Sequence, residues 1–335
     1  MNRVVFALAL LSLLACESKP KTAYHITAHY THFNLPDSIS KMSEHGKAQA
    51  LLGKSLFYDP ILSRGNDVSC ASCHLPERAF SDTVRFSKGS NNGIAVRNTP
   101  PLFNLFSHKR FFMDGGIPRL SEVALAPMDH PHELNQRIDE LSYRLRENAS
   151  YASWFKEVYN REPDPYSITR ALMWFQLSLI SANSTFDKYL HDASNFPLHA
   201  DAAKGYALFL DPALGCASCH QGMNFSDGDF HNVGLDMSEH PDTGRARISI
   251  NWEDYGKIKT PSLRNLGFTA PYMHDGRFNS LTEVLDYYNR GGDGSAGQDP
   301  RIRPLHLNAT QLQQLEAFLH ALNDTAFTLH PDYRP

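Results

Sequence analysis

Cys70-Ala71-Ser72-Cys73-His74 and Cys216-Ala217-Ser218-Cys219-His220 decide the reading of this 335-residue chain. Two thiols three positions apart on one helical turn can each bond a vinyl group of the same porphyrin. The adjacent imidazole then reaches the iron from the proximal side. Cys-x-x-Cys-His is the signature of c-type haem attachment. A thioredoxin-like dithiol needs no following His, and two thiol pairs could instead combine into a zinc site. Two full copies, each with its His, favour two covalent haem c groups, held by Cys70, Cys73, His74 and by Cys216, Cys219, His220.

The likeness of the two stretches extends outward. Gly53-Lys54-Ser55-Leu56-Phe57-Tyr58-Asp59-Pro60-Ile61-Leu62 precedes the first motif, and Gly205-Tyr206-Ala207-Leu208-Phe209-Leu210-Asp211-Pro212-Ala213-Leu214 the second; both fit G-x-x-L-F-x-D-P-x-L. Arg97-Asn98-Thr99-Pro100-Pro101-Leu102 follows the first and Lys259-Thr260-Pro261-Ser262-Leu263 the second. Further on, Met113-Asp114-Gly115 leads to Leu120-Ser121-Glu122-Val123, and His274-Asp275-Gly276 to Leu281-Thr282-Glu283-Val284, with eight positions from Asp to Glu in both. Self-similarity of this length predicts an internal duplication. The expected fold is mainly α, with two cytochrome-c-like haem domains related by that duplication. In each, a helix approaches the motif, a loop wraps the porphyrin, and Ser121 or Thr282 caps a helix over the far face. Ser167 to Ile180 is apolar on most sides and is expected between layers. Glu133 to Asn148 reads as an amphipathic helix. The boundary is expected near Asp192 to Asp201, giving domains of residues 41–195 and 196–325.

The N-terminus reads as targeting sequence. Asn2-Arg3 is followed by a run from Val4 to Ala15 that is apolar except for Ser12, too short for a relaxed membrane span but suited to a signal peptide. It ends in Leu13-Leu14-Ala15-Cys16, which resembles the lipobox of bacterial lipoproteins and implies lipidation at Cys16 after removal of residues 1–15. Residues 16–40 are polar and poorly periodic, a tether. The five cysteines are then all assigned: one to the lipid, four to the haems. A formal net charge of -4 gives no reason to expect nucleic acid or an anionic membrane surface as partner.

These residues together resemble the bacterial di-haem cytochrome c peroxidases and their MauG-type relatives. The resemblance spans roughly Gly46 to Leu322. It rests on the haem motifs, Arg97-Asn98-Thr99-Pro100, Phe112-Met113-Asp114-Gly115, Lys259-Thr260-Pro261-Ser262-Leu263-Arg264-Asn265 and Pro271-Tyr272-Met273-His274-Asp275-Gly276. It implies that the N-terminal haem, on His74, binds peroxide, and that the C-terminal haem, on His220, relays electrons. It also implies a calcium ion between the domains, held by the Asn98 side chain and the Thr269 and Pro271 carbonyls; hard oxygen donors suit calcium. Glu133, twenty residues beyond Met113, falls on the family's distal acid–base position. Peroxide cleavage needs a group that takes a proton from the near oxygen and returns one to the leaving oxygen.

Three departures from the family pattern bear on function. No His occurs between His74 and His108, so the loop that often blocks the first iron carries no obvious ligand. Met113 stands where the family usually has Trp. Tyr288, fourteen past His274, stands where the second haem often has Met, as in the MauG branch. The expected activity is reduction of hydrogen peroxide to water with electrons from a small c-type cytochrome or cupredoxin, on the periplasmic side of a bacterial membrane. Two alternatives are a MauG-like oxidase that modifies a partner protein and a non-catalytic electron-transfer cytochrome. Tyr288 favours the first alternative, but Leu214 replaces the surface Trp that the MAU-pathway enzyme uses. Glu133 speaks against the second. The resemblance makes a homodimer possible.

Overall fold

A computed structural model describes residues 35–235 and 242–335. The expected signal segment, Cys16 and the tether up to residue 34 lie outside the described residues. The chain is mainly helical, as expected. The longer helices are α1 (Glu44–Tyr58), α2 (Ile138–Glu147), α3 (Ala149–Tyr159), α4 (Pro165–Ser178), α5 (Thr185–His191), α6 (Ala200–Leu210), α7 (Leu281–Asn289) and α8 (Ala309–Ala321). The pairing of β1 (Phe230–His231) with β2 (Ile258–Lys259) is a two-residue antiparallel ladder. No helix among the described residues is long and apolar enough to cross a membrane.

Two helix crossings organise the molecule, and the first glycine of each repeated stretch explains them. A Cβ on Gly53 of α1 would lie 1.9 Å from the Ala171 carbonyl oxygen of α4. A Cβ on Gly205 of α6 would lie 1.8 Å from the Gln314 carbonyl oxygen of α8. Only glycine lets the backbones approach that closely. The Leu and Phe that follow fill the space beneath. Leu56 and Phe57 are buried against Phe80, Leu172 and Phe175; Phe209 is buried with Phe186, Phe225 and Phe318. Each Asp-Pro then turns the chain toward its motif. Asp59 accepts from the Ile61 amide at 2.8 Å and Asp211 from the Ala213 amide at 2.8 Å.

The cores do not follow the chain in two clean blocks. Phe186 and Tyr189 of α5, ahead of the expected boundary, pack in the second cluster. Phe327 and Tyr333, past the expected end of the second domain, pack in the first. The Tyr333 hydroxyl donates to the Ser178 carbonyl at 2.9 Å, and Tyr58 donates to the Tyr333 carbonyl. Ile39, from the end of the expected tether, is buried beside Ile180 and Ala182.

Three helix starts differ from expectation. Ser280, not Thr282, caps α7, accepting from the Glu283 amide at 3.2 Å while Glu283 returns to the Ser280 amide. Ser121 lies inside the short helix Leu120–Val123, whose N-cap, Arg119, makes no side-chain cap. α2 begins at Ile138, so Glu133 lies in a turn ahead of it. α4 has the buried character expected: nine of its fourteen residues are buried.

Candidate functional site

Both Cys-x-x-Cys-His stretches open with a single 3-10 turn, closed by the Cys73 amide on the Cys70 carbonyl at 3.2 Å and by the Cys219 amide on the Cys216 carbonyl at 3.4 Å, and the His amide adds an α-type bond to the same oxygen. His74 donates its backbone N–H to the Cys70 carbonyl at 3.0 Å, and His220 to the Cys216 carbonyl at 3.0 Å. The imidazoles are then tied by the chain just beyond. His74 Nδ1 lies 2.7 Å from the Phe80 carbonyl oxygen, and His220 Nδ1 lies 2.9 Å from that of Phe225. Phe80 and Phe225 both hold a positive φ, of 60° and 51°, a costly conformation for an aromatic residue that aims the carbonyl at the ring. The loop is pinned once more in each half. Ser81 donates to the Thr99 carbonyl at 2.6 Å, and Ser226 to the Thr260 carbonyl at 2.7 Å.

One continuous cavity of about 720 Å³ runs past both motifs. Cys70, Cys73 and His74 line it, as do Cys216, Cys219 and His220. None of these four cysteines forms a disulfide. Burial pushes the Cys70 thiol up to about 12, and Cys73 and Cys216 up to about 11. Burial lowers the pKa of both His74 and His220, so both imidazoles are neutral, with Nδ1 engaged and Nε2 the nitrogen left for a metal. Unpaired cysteines, neutral oriented imidazoles and a large, mainly apolar cavity fit two thioether-bound haems. A second metal reading centres on Cys219, Asp227 and His231, whose ligand atoms lie within 4.8 Å of one another. Thioether formation would remove that thiolate, and His231 has carboxylate partners already, Asp227 at 2.9 Å and Asp299 at 3.2 Å.

Glu133 lines the cavity close enough to the Cys70 and Cys73 thiols to act on them electrostatically. Burial raises its carboxyl pKa, and His130 partly opposes the rise. Its turn is tightly built: the Glu133 amide donates to the His130 carbonyl at 3.0 Å, and the Glu133 carbonyl accepts from the Ser90 amide at 2.7 Å. His130 and His132, which spacing rules did not single out, line the same cavity. His108 also lines it, and burial lowers its pKa to about 3, so it is neutral.

The two neighbouring tyrosines of α7 part ways. Tyr287 is wholly buried, its hydroxyl donating to the Val233 carbonyl at 3.0 Å. Tyr288 faces the cavity near Cys216 and Cys219, and burial raises its phenol above the ordinary range. Met113 and Met273 also line the cavity.

Asn98, Thr269 and Pro271 line the cavity as well. The Asn98 amide nitrogen donates to the Val84 and Arg85 carbonyls at 3.1 and 3.2 Å, which assigns its Oδ1 to the other side. The same region joins the halves. The Asn98 amide donates to the His274 carbonyl at 2.8 Å, and Arg97 bridges Asp114, at 2.7 Å, and Asp242, at 2.6 and 2.7 Å. Arg247 reaches the buried Asp114 from the other half.

Comparison with known proteins agrees with this geometry. Residues 47–195 match the family model for di-haem cytochrome c peroxidases. The methylamine utilization protein MauG of Methylorubrum extorquens is 36% identical over 330 residues, covering 95% of this chain and 90% of that protein. Cytochrome-c peroxidase IdrP1 of Pseudomonas sp. strain SCT is 30% identical over 364 residues, covering 99% and 96%. Among solved structures, a MauG-like protein associated with microbial copper homeostasis superposes with a TM-score of 0.82 at 30% identity, covering 90% of this chain and 95% of that one. With its two haem-attachment turns on one cavity, this chain belongs to the di-haem cytochrome c peroxidase family, which includes both peroxidases and MauG proteins.

Proposed function

We propose that the chain reduces hydrogen peroxide to water at the N-terminal site, with electrons that enter at the C-terminal site from a small c-type cytochrome or cupredoxin. The observation that carries this reading is Glu133, a carboxyl of raised pKa on the cavity wall beside the first attachment turn. A group whose pKa is drawn toward neutrality can both accept and return a proton. The haems supply the redox chemistry when bound. Cys70, Cys73, Cys216 and Cys219 would attach them, and His74 and His220 would hold them through Nε2. Glu133 Oε1 takes the proton from the near oxygen of peroxide and gives it to the leaving one. Tyr288 would offer its phenol oxygen to the iron of the second haem, a donor that would favour the ferric state. Asn98, Thr269 and Pro271 hold a calcium ion at the join between the halves.

The paired Gly crossings, Asp-Pro turns and His–carbonyl bonds support a duplication of one haem domain, over residues 41–195 and 196–325. Export to the periplasmic side with a lipid anchor at Cys16 rests on the N-terminal sequence, and a homodimer on the family.

Tyr288 and the 36% identical MauG favour a second reading, oxidation of a side chain on a partner protein. Steady-state peroxide consumption with a reduced cytochrome, beside an assay for oxidation of a co-encoded protein, separates the two. Rapid turnover with the cytochrome supports the peroxidase; negligible turnover with modification of the protein supports the oxidase, and neither leaves a non-catalytic cytochrome. The absence of His between His74 and His108 adds an expectation. The resting oxidised protein should give a high-spin ferric signal and react with peroxide at once. A wholly low-spin resting state that needs prior reduction would refute it.

A further inference from the structure

The repeat reaches past the two imidazoles. Phe80-Ser81-Asp82 follows His74, and Phe225-Ser226-Asp227 follows His220. In both stretches the Phe carbonyl meets the imidazole and the Ser pins the loop, so each Asp is set by the same two bonds.

The two carboxylates are held differently. Asp227 faces basic groups. Its Oδ2 lies 2.9 Å from His231 Nε2. The Arg301 guanidinium reaches Nδ1 of that ring at 2.8 Å and Asp299 at 2.6 Å. Asp82 has neutral donors instead. The Thr83 amide donates to its Oδ1 at 2.6 Å, and the Ser87 hydroxyl to its Oδ2 at 2.5 Å. Ser87 gives its only proton to Asp82, so the Thr99 hydroxyl, 2.6 Å away, donates to Ser87 in turn. All the bonds of Asp82 are accepted ones, the pattern of an ionised carboxylate. Among the described residues it forms no ion pair. Asp82, Ser87 and Thr99 are 7%, 3% and 8% exposed, so water and salt screen this charge little.

That charge reaches the groups that would hold the first haem. It acts on the Cys73 sulfur. At His74, burial lowers the pKa, and the Phe80 carbonyl and Asp82 oppose the fall. Ser87, the donor to Asp82, lines the cavity with Cys73 and His74. At His220, burial again lowers the pKa and the Phe225 carbonyl and Asp227 oppose it, but His231 works against Asp227. The second half carries a correction that the first half lacks.

We propose that Asp82, a buried anion without a cationic partner, sets a low reduction potential for the haem of the first half. Reduction of that iron by one electron from the donor removes one positive charge near the carboxylate, so the attraction between them favours the ferric state. A lower potential makes the iron the stronger reductant, the property that passing electrons to an oxidant needs. Asp82 touches neither iron nor substrate and acts through its charge. This rests on haem attachment at Cys70 and Cys73, and on no particular oxidant or partner.

The test is a spectroelectrochemical titration of the haem-loaded protein at neutral pH. Asp82→Asn, which keeps an oxygen to accept from Thr83 or Ser87, should shift the midpoint potential of the first haem upward and leave the second where it was. Asp82→Glu should stay near the wild-type value. Ser87→Ala should shift the first haem downward, because the carboxylate loses the hydroxyl that disperses its charge. A purely structural role would not give opposite signs, since a loosened loop affects both variants alike. An unmoved first haem in Asp82→Asn, equal upward shifts at both haems, or an upward or absent shift in Ser87→Ala would each overturn the assignment. If Asp82→Asn does not fold or load, the sign in Ser87→Ala and the value in Asp82→Glu decide it. A mass that shows no haem on Cys70 and Cys73 in the unmodified chain would instead sink the premise of attachment.

Discussion

Around Cys70–His74 the groups that reach the cavity from beyond the attachment turn are Glu133, His130 and His132, on a turn open to solvent. Around Cys216–His220 the wall carries Tyr288, on a capped helix whose preceding residue, Tyr287, is sealed in the core, together with His231, Asp299 and Arg301. The attachment geometry of the two halves is nearly the same, down to a Phe carbonyl at positive φ on each imidazole. The difference lies in what stands opposite. The proposed division of labour between the halves rests on that difference, Glu133 on the first wall and Tyr288 on the second.

The largest effect should come from attachment itself. Cys70→Ala with Cys73→Ala should remove one of two haem additions in the denatured mass and abolish peroxide reaction. Cys216→Ala with Cys219→Ala should remove the other and abolish electron entry from the donor. A wild-type chain that carries one haem after proper maturation would break the comparison at its root.

Next come the two opposing faces. Glu133→Gln should keep both haems and their spectra and lose turnover by about 10²–10⁴-fold. Tyr288→Phe should do the reverse in spectroscopy, changing the near-infrared and paramagnetic signals of the second haem only. A methionine-to-iron charge-transfer band in wild type, or unchanged low-spin signals in Tyr288→Phe, would show that the phenol is not a ligand.

The halves should also differ in how ion pairs stabilise them. Arg264 and Asp187, in the second half, form a bidentate bond at 2.8 and 2.8 Å with side chains only 2% and 1% exposed. Breaking it with Asp187→Ala leaves a buried cation and should cost about 3–5 kcal/mol in denaturant titration. Arg137 and Asp139, in the first half, are 65% and 61% exposed, and Arg137→Ala should leave the denaturant midpoint almost where it was. Burial pushes Asp187 up, but Arg264 more than offsets it and holds the carboxyl below its ordinary pKa. Its stabilisation is therefore complete above about pH 4, the unfolded value, and is lost as pH falls through the lower folded value. Acid unfolding monitored at the second haem should shift toward neutral pH in Asp187→Asn. An unshifted midpoint would remove the pair from that account.

The smallest effect expected is that of calcium. Exhaustive chelation should slow electron transfer between the haems and lower activity while leaving both attached. If neither rate moves, Asn98, Thr269 and Pro271 hold no functional ion.

What the sequence made legible is what local chemistry dictates. A porphyrin demands two thiols and an imidazole at fixed spacing, and both motifs meet that demand; Gly53 and Gly205 were visible only as the first residues of a repeated stretch, and the close helix crossings they permit come from the structure. Tyr288 and Glu133 were located by resemblance, and the structure brings both to the cavity. Their partners were not legible. The Asp187–Arg264 bond joins residues far apart in the chain, and nothing in either neighbourhood announces it. Asp129-His130-Pro131-His132-Glu133 was visible as a string, but without a helical or metal-ligand spacing it pointed nowhere. The structure brings it to the cavity wall, where Gly89 and Gly93 close on the loop. The repeat aligns Thr282 with Ser121 and so points to it as a cap; the hydrogen bonds begin two residues earlier, at Ser280.

The C-terminal tail has a consequence for the order of events in making this protein. Phe327 packs on Phe80 at 5.9 Å, next to the carbonyl that orients His74, and Tyr333 on the same ring at 6.3 Å. A chain delivered N-terminus first therefore exposes its first haem motif early but cannot seal the core behind it until its last residues arrive. The half synthesised first is the half finished last.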